Sequence, residues 1–238
     1  MKVVFYYPCH YEYLHSQVHG PIGLTYLAAH LEHELGISDV HIEVDPQQVI
    51  QHRPDLIGIS AYTETYPQAI EAAKQFKETL GIPVLVGGPH ISALPESLHE
   101  FMDMGVIGEA EVTLIELIKL YLASQWNPLY WQKVNGLIFR DLEGQLVKTS
   151  PRESVQNLDT LYFPQRELMQ TYWPPTGKVH FWQQGLYTSR GCPFRCSFCV
   201  HSTIEEFPRY HSPERVLTEL EHILRYYPQQ KTVTIHDD

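Results

Sequence analysis

Three of the chain's four cysteines fall within one short stretch: Cys192, Cys196 and Cys199, spaced C-x-x-x-C-x-x-C. Thiolates this crowded suit metal or redox chemistry better than disulfide pairing. They can converge on one polynuclear centre. A four-iron cluster has four iron corners, so three cysteines leave one iron open, whereas full cysteine ligation would suit electron transfer alone. An open corner is where a substrate or cofactor could coordinate. Arg190 and Arg195 would help hold an anionic cluster. A structural zinc site is the other reading; it wants four ligands, and His201 would supply the fourth. Cys9 is far away in sequence and belongs to neither reading.

A second set of residues sits where strands should end. Apolar runs at 2–7, 39–44, 55–60, 84–86 and 106–107 read as strands. Between them lie helical periods. Leu24, Leu27, Ala28, Leu31 and Leu35 mark one, opened by Pro21 and closed by Gly36. Ile70, Ala73, Phe76 and Leu80 mark another, capped by Gly81. Val112, Ile115, Leu117, Ile118 and Leu122 mark a third, over about 111–123. Strands apolar on both faces, alternating with helices, imply a doubly wound parallel sheet. Such sheets bind ligands beyond the carboxyl ends of their strands. The expected site is therefore built from loops 8–20, 60–65, 87–92 and 108–111, which carry Ser60, Gly87, Gly88, His90, Gly108 and Glu109. Glycines there permit close backbone approach to a ligand, or simply turn the chain. His10, His15 and His19 join His90 as residues placed to line a pocket.

Several classes are excluded. The formal net charge is −11, which argues against a non-specific DNA binder. No run approaches the ~20 apolar residues of a membrane span, and the apolar start at Val3–Tyr7 is too short for a secretory signal. The expectation is a cytoplasmic protein without membrane or DNA partners. No G-x-G-x-x-G follows the first strand, and no G-x-x-x-x-G-K-[ST] occurs. Residues from about 124 to 185 change character: all four tryptophans lie there, and strands at 134–140 and 145–149 flank Asp141-Leu142-Glu143-Gly144 as a β-hairpin. The expected organisation is a domain over 1–123, a linker with a hairpin over 124–185, and a third segment over 186–238.

The stretch Tyr187–Cys199 (YTSRGCPFRCSFC) resembles the cluster loop of radical S-adenosylmethionine (SAM) enzymes. The resemblance implies that Cys192, Cys196 and Cys199 ligate a [4Fe-4S] cluster whose open iron takes the amino and carboxylate groups of SAM. It implies that Phe198 lies against the adenine, and that reductive cleavage releases a deoxyadenosyl radical. Upstream, Gly20-Pro21, Pro54-Asp55, Gly58-Ile59-Ser60, Val86-Gly87-Gly88-Pro89-His90 and Gly108-Glu109-Ala110-Glu111 resemble the cobalamin-binding domain of the cobalamin-dependent radical SAM family. That family includes methyltransferases and ring-forming enzymes. Its second glycine of G-E-G-E is Ala110 here. The D-x-H-x-x-G signature is absent, so a bound corrinoid should lack a lower axial histidine.

After the cysteines, Ser212-Pro213-Glu214 opens a helix with Val216, Leu217, Leu220, Ile223, Leu224 and Tyr227 on its apolar face. A strand follows at 232–235 and ends in His236-Asp237-Asp238. In the family this strand end resembles the segment that meets the SAM amino group, which makes Asp237 and Asp238 cofactor-binding candidates. Leu186-Tyr187-Thr188-Ser189 reads as the strand that leads into the cysteines. Residues 186–238 hold only the first strand, helix and strand of the family's partial β/α barrel, so truncation or a second polypeptide completing the barrel is expected. The function read from the sequence is a cobalamin-dependent radical SAM enzyme. Its expected partners are a small-molecule substrate and a flavodoxin- or ferredoxin-type electron donor. A non-catalytic corrinoid-binding fragment and a zinc-bearing interaction protein are the competing readings.

Overall fold

The structure is a computed structural model that describes residues 1–8, 21–171, 185–199, 207–226, 233–235 and 237. Its contacts fall into two compact units. One is drawn from Met1–His10 and His30–Ser154, the other from Tyr11–Ala29 and Val155–Asp238.

The first unit is built on one seven-stranded sheet. In chain order the elements are β1 (Val3–Tyr6), α1 (Ile22–Leu35, which belongs to this unit only from His30), β2 (Val40–Glu43), α2 (Pro46–His52), β3 (Leu56–Ser60), α3 (Tyr66–Leu80), β4 (Val84–Gly87), α4 (Pro89–Ala93), β5 (Met104–Val106), α5 (Glu111–Leu122), α6 (Pro128–Trp131), β6 (Leu137–Arg140) and β7 (Leu146–Lys148). The sheet order is β2-β1-β3-β4-β5-β6-β7. The first five strands are parallel, while β6 and β7 are antiparallel. The parallel part has the flavodoxin-like order 2-1-3-4-5. Residues 134–149 do form a hairpin, and it extends this sheet by pairing β6 on β5.

The continuous apolar runs have a simple cause: β1 is buried along its whole length, and β3 up to its last residue, because helices cover both faces. Ala69, Ala72, Ala73 and Phe76 of α3 pack with Ile57, Ile59, Val84 and Val86. Gly58 in β3 is a packing requirement, since a Cβ there would stand 2.8 Å from Phe5 Cδ1. Helix α2 escapes the apolar-period reading because it is short and polar. Its signal is capping chemistry: the Asp45 side chain accepts from the Gln47 amide at 2.9 Å, with Pro46 at the first position. Helix α5 buries Ile115, Leu117 and Ile118 as expected, but its two ends differ: Val112 and Leu122 are exposed, while Glu111, Thr113 and Leu114 are also buried.

In the second unit the described strands are β8 (Gly185–Leu186), β9 (Ser189–Arg190), β10 (Arg209–Tyr210) and β11 (Thr234–Ile235), with helix α7 (Pro213–Tyr226). Strand β11 pairs parallel with β8, and α7 lies between them in sequence, which is the expected strand–helix–strand. The single strand expected over 186–189 is broken at Tyr187-Thr188. β8 pairs with β11, whereas β9 pairs antiparallel with β10. The face of α7 also differs from expectation. Leu217 and Leu224 are exposed, and the buried residues are Ile223 and Glu219. Glu219 turns inward because it meets Arg166, and both side chains are almost fully buried. Arg166 donates as well to the carbonyl of Gly185 at 2.6 Å, tying β8 to this ion pair. Ile22, Tyr26, Leu158, Leu161 and Met169 complete the unit's apolar core. Among the described residues no helix is long and apolar enough to cross a membrane.

Candidate functional site

Two places carry chemistry, one in each unit. In the first unit the loops after β3, β4 and β5 sit at the carboxyl ends of adjacent parallel strands. Ser60 is in register with Gly87, so the ends of β3 and β4 lie side by side. A Cβ at Gly87 would approach only the Val106 carbonyl, at 3.9 Å, and one at Gly108 would meet nothing within 4 Å. These two positions therefore present bare backbone toward open space, as a flat ligand lying over the strand ends requires.

Gly88 does a different job. Its backbone, at φ 95° and ψ −177°, is a conformation that is nearly glycine-only. A Cβ there would stand 2.9 Å from the Ala61 carbonyl oxygen and 3.1 Å from Ser60 Oγ. Gly88 thus shapes the loop rather than clearing a path for a ligand. Ala110, where the family's motif has glycine, has φ −101°, so a side chain costs nothing in backbone strain. Glu109 is half-buried beside it.

His90 is buried and is not aimed at open space. Its ring stacks on Tyr66 with centroids 3.8 Å apart. Nδ1 lies 3.1 Å from Thr63 Oγ1, and Nε2 lies 3.0 Å from Ser97 Oγ. The Ser97 hydroxyl donates to the Leu94 carbonyl at 2.6 Å. Its one proton is therefore spent, so it accepts from Nε2–H, and Thr63 donates to Nδ1. His90 is a neutral imidazole, and burial pushes its pKa down. The loop after β1, with His10, His15 and His19, lies outside the described residues.

In the second unit, Gly191 at φ +89° turns the chain from β9 into the cysteine loop. Cys192 and Cys199 are half-buried and Cys196 is exposed; none is in a disulfide. The Cys199 amide donates to the Cys196 carbonyl at 3.0 Å. Phe198 is 91% exposed. Among the described residues, no three His, Cys, Asp or Glu side chains are gathered closely enough for a single metal ion. A polynuclear cluster makes a different demand, because each thiolate binds its own iron corner. Three unbridged thiols on one loop, with at least partial access, fit that donor set.

What holds this loop is legible at its entrance. The carboxylate of Asp237 accepts from the amides of Thr188 at 2.7 Å and Ser189 at 3.0 Å, and from the Thr188 hydroxyl. These bonds hold the Asp237 carboxyl below the usual range despite an opposing desolvation effect. Both oxygens of Asp237 are therefore already engaged by the strand that leads to Cys192; Asp238 lies outside the described residues. The Arg190 guanidinium sits over the Tyr26 ring, 5.4 Å from its centroid. Burial first, and then the Glu219 charge, push the Tyr26 hydroxyl up to about 12, against the pull of Arg166, Arg190 and Arg215. Ser212 caps α7, its Oγ accepting from the Arg215 amide at 3.1 Å, and Asp159 anchors that cap by accepting from the Ser212 amide at 3.0 Å while also meeting His211 Nδ1 at 3.1 Å. Tyr26, Asp159, Arg166 and Glu219 carry no sequence signal of these roles, since each depends on partners far along the chain.

The B12 binding domain family matches residues 16–118 of the chain. The uncharacterized methyltransferase PH0819 of Pyrococcus horikoshii is 34% identical over 231 residues, covering 92% of this chain and 48% of that protein. The cobalamin-dependent radical SAM methyltransferase TokK of Streptomyces tokunonensis is 28% identical over 188 residues, 73% of this chain and 26% of its own length. The chain thus spans less than half the length of these relatives. In fold it is similar to the cobalamin-dependent SAM radical enzyme OxsB, solved with aqua-cobalamin and SAM bound. The TM-score is 0.77 at 22% identity, covering all of this chain and 34% of that one. The chain thus carries a B12-binding domain of flavodoxin-like topology followed by a C-x-x-x-C-x-x-C loop, and it is similar over both to cobalamin-dependent radical SAM enzymes.

Proposed function

We propose that the chain binds a corrinoid over the strand ends of its first unit and a [4Fe-4S] cluster at Cys192, Cys196 and Cys199. In this reading it serves a radical SAM reaction, methyl transfer or ring closure, on a small-molecule substrate. The observation that carries the reading is the pairing, on one chain, of bare backbone at the ends of β4 and β5 with three unbridged thiols after β9. When bound, the cluster supplies the electron that cleaves SAM reductively, and the corrinoid supplies a methyl carrier or a radical modulator.

The chain's own residues have assignable tasks. Gly87 and Gly108 leave room for a flat macrocycle, and Gly88 fixes the loop beside it. The three thiolates take three irons and leave the fourth open. Phe198, exposed beside Cys199, offers a face to a planar base. Asp237 orders Thr188 and Ser189, and through them the entry to the loop. An electron donor of flavodoxin or ferredoxin type is the expected partner.

Anaerobic reconstitution with iron and sulfide, followed by hydroxocobalamin titration, tests the reading. The expected result is about four irons per chain with separate, saturable corrinoid uptake. A protein that takes up neither refutes it.

A further inference from the structure

We propose that α4 is a cross-brace that pre-sets the corrinoid site, with His90 and Ser92 as positioning residues that do not touch the corrinoid. The inference rests on the corrinoid reading above and adds the device that holds the site's shape.

Helix α4 follows β4 and reaches both neighbouring loops. Toward the loop after β3, the His90 amide donates to the Ala61 carbonyl at 3.2 Å. The His90 ring accepts from Thr63 and stacks on Tyr66, and it donates to Ser97 in the turn beyond α4. The Tyr66 hydroxyl closes the ring of contacts by donating to the Ser97 carbonyl at 2.9 Å. Toward the loop after β5, Ser92 Oγ accepts from the Gly108 amide at 3.0 Å. One short helix therefore sets the positions of Thr63, Gly88 and Gly108 relative to one another, and these belong to the three loops over which a corrinoid would lie. With both ring nitrogens spent on Thr63 and Ser97, His90 has no remaining group for a ligand. Its value is pre-organisation. A site that must first assemble binds more weakly in proportion to the fraction assembled.

The test is equilibrium dialysis of the 238-residue chain against hydroxocobalamin, with absorption spectra of the bound form. His90→Phe keeps the ring stack and loses both hydrogen bonds. Ser92→Ala releases Gly108, and Ser92→Thr keeps the hydroxyl. The expected result is roughly tenfold weaker binding for His90→Phe and for Ser92→Ala. Ser92→Thr should bind near wild type, and every variant should show an unchanged bound-state spectrum at saturation. Unchanged affinity in both weakened variants overturns the brace. An altered spectrum in His90→Phe overturns it differently, by showing that His90 contacts the corrinoid. If His90→Phe does not fold, the Ser92 pair decides alone. No uptake by the wild-type chain refutes the corrinoid reading itself, and this role with it.

Discussion

Adjacent glycines at the end of β4 should separate folding from binding. Gly88 occupies a backbone conformation that is nearly glycine-only, and holding another residue there costs of order 1–3 kcal/mol. A Cβ at 2.9 Å from the Ala61 carbonyl adds a clash with backbone that cannot swing away. Gly88→Ala should therefore destabilise the chain by about 2 kcal/mol or more, which lowers the Tm by roughly 5 °C for a chain of this size. Gly87 is the opposite case. It ends a strand, its added Cβ meets nothing closer than 3.9 Å, and Gly87→Ala should leave the Tm within about a degree. Its cost should appear instead in corrinoid affinity, because that Cβ occupies the open space over the strand end. Thermal unfolding by circular dichroism and hydroxocobalamin dialysis, run on both variants, give the two readouts. A Gly88→Ala protein as stable as wild type refutes the strain argument. A Gly87→Ala protein that loses stability while keeping its affinity refutes the assignment of that space to a ligand.

Further expectations concern the second unit and the response to pH. Cys192→Ala, Cys196→Ala and Cys199→Ala should each lose the iron and visible absorption of the reconstituted protein, while Cys9→Ala keeps both. Glu219→Ala strands the Arg166 guanidinium in the interior and should cost about 3–5 kcal/mol, with Glu219→Gln costing less. Because the Glu219 charge raises the Tyr26 pKa, the Gln variant should also ionise Tyr26 below about 12 in a spectrophotometric titration. Asp237→Ala should loosen the cysteine loop, read as faster thiol modification of Cys192, whereas Asp237→Asn keeps an acceptor for the Thr188 and Ser189 amides and lies between. His90 and His211 have pKa values pushed below 6.5 by burial, so the unfolded chain binds more protons there. Stability should be flat above that value and fall as pH drops below it. Asp159 and Asp237, held below 3.8, add stability that is lost only as pH falls below that value. Tm measured against pH should show both steps, and His90→Gln should shrink the first.

The fold was legible wherever burial is two-sided. β3 and β4 read as strands because helices bury both their faces, and α3 because Ile70, Ala73, Phe76 and Leu80 fall on a helical period. The failures have particular causes. Helix α2 has only Val49 fully buried, so capping by Asp45 and Pro46 is its signal rather than an apolar period. Helix α7 looked like a Leu/Val stripe, yet the buried residue beside Ile223 is Glu219. A charged residue in the interior makes sense only with its partner, and Arg166 lies too far along the chain for any local pattern to pair them. The strand before the cysteines looked continuous because nothing in Tyr187-Thr188 shows that it serves two different partner strands.

For the site, residue type and strand-end position were enough to single out His90 and Asp237, but not to say what they do. Both were candidates for touching a cofactor, on chemistry that is sound for an imidazole or a carboxylate near a strand end. The geometry buries the His90 ring and spends both its nitrogens on Thr63 and Ser97. Asp237 stays exposed, and its carboxylate accepts from the Thr188 and Ser189 amides and the Thr188 hydroxyl. A polar side chain whose bonds are already made can hold a ligand's surroundings but offers little to the ligand itself, because a new contact would first have to break an existing one. The other groups at these two places are of another kind: backbone at Gly87 and Gly108 with space beside it, thiols at Cys192, Cys196 and Cys199 that form no disulfide, and the exposed face of Phe198. Bare backbone, soft sulfur and an aromatic face suit a corrin ring, iron and adenine. The division of labour follows from that chemistry: polar side chains set the frame, and backbone, sulfur and an aromatic face suit the ligands proposed above.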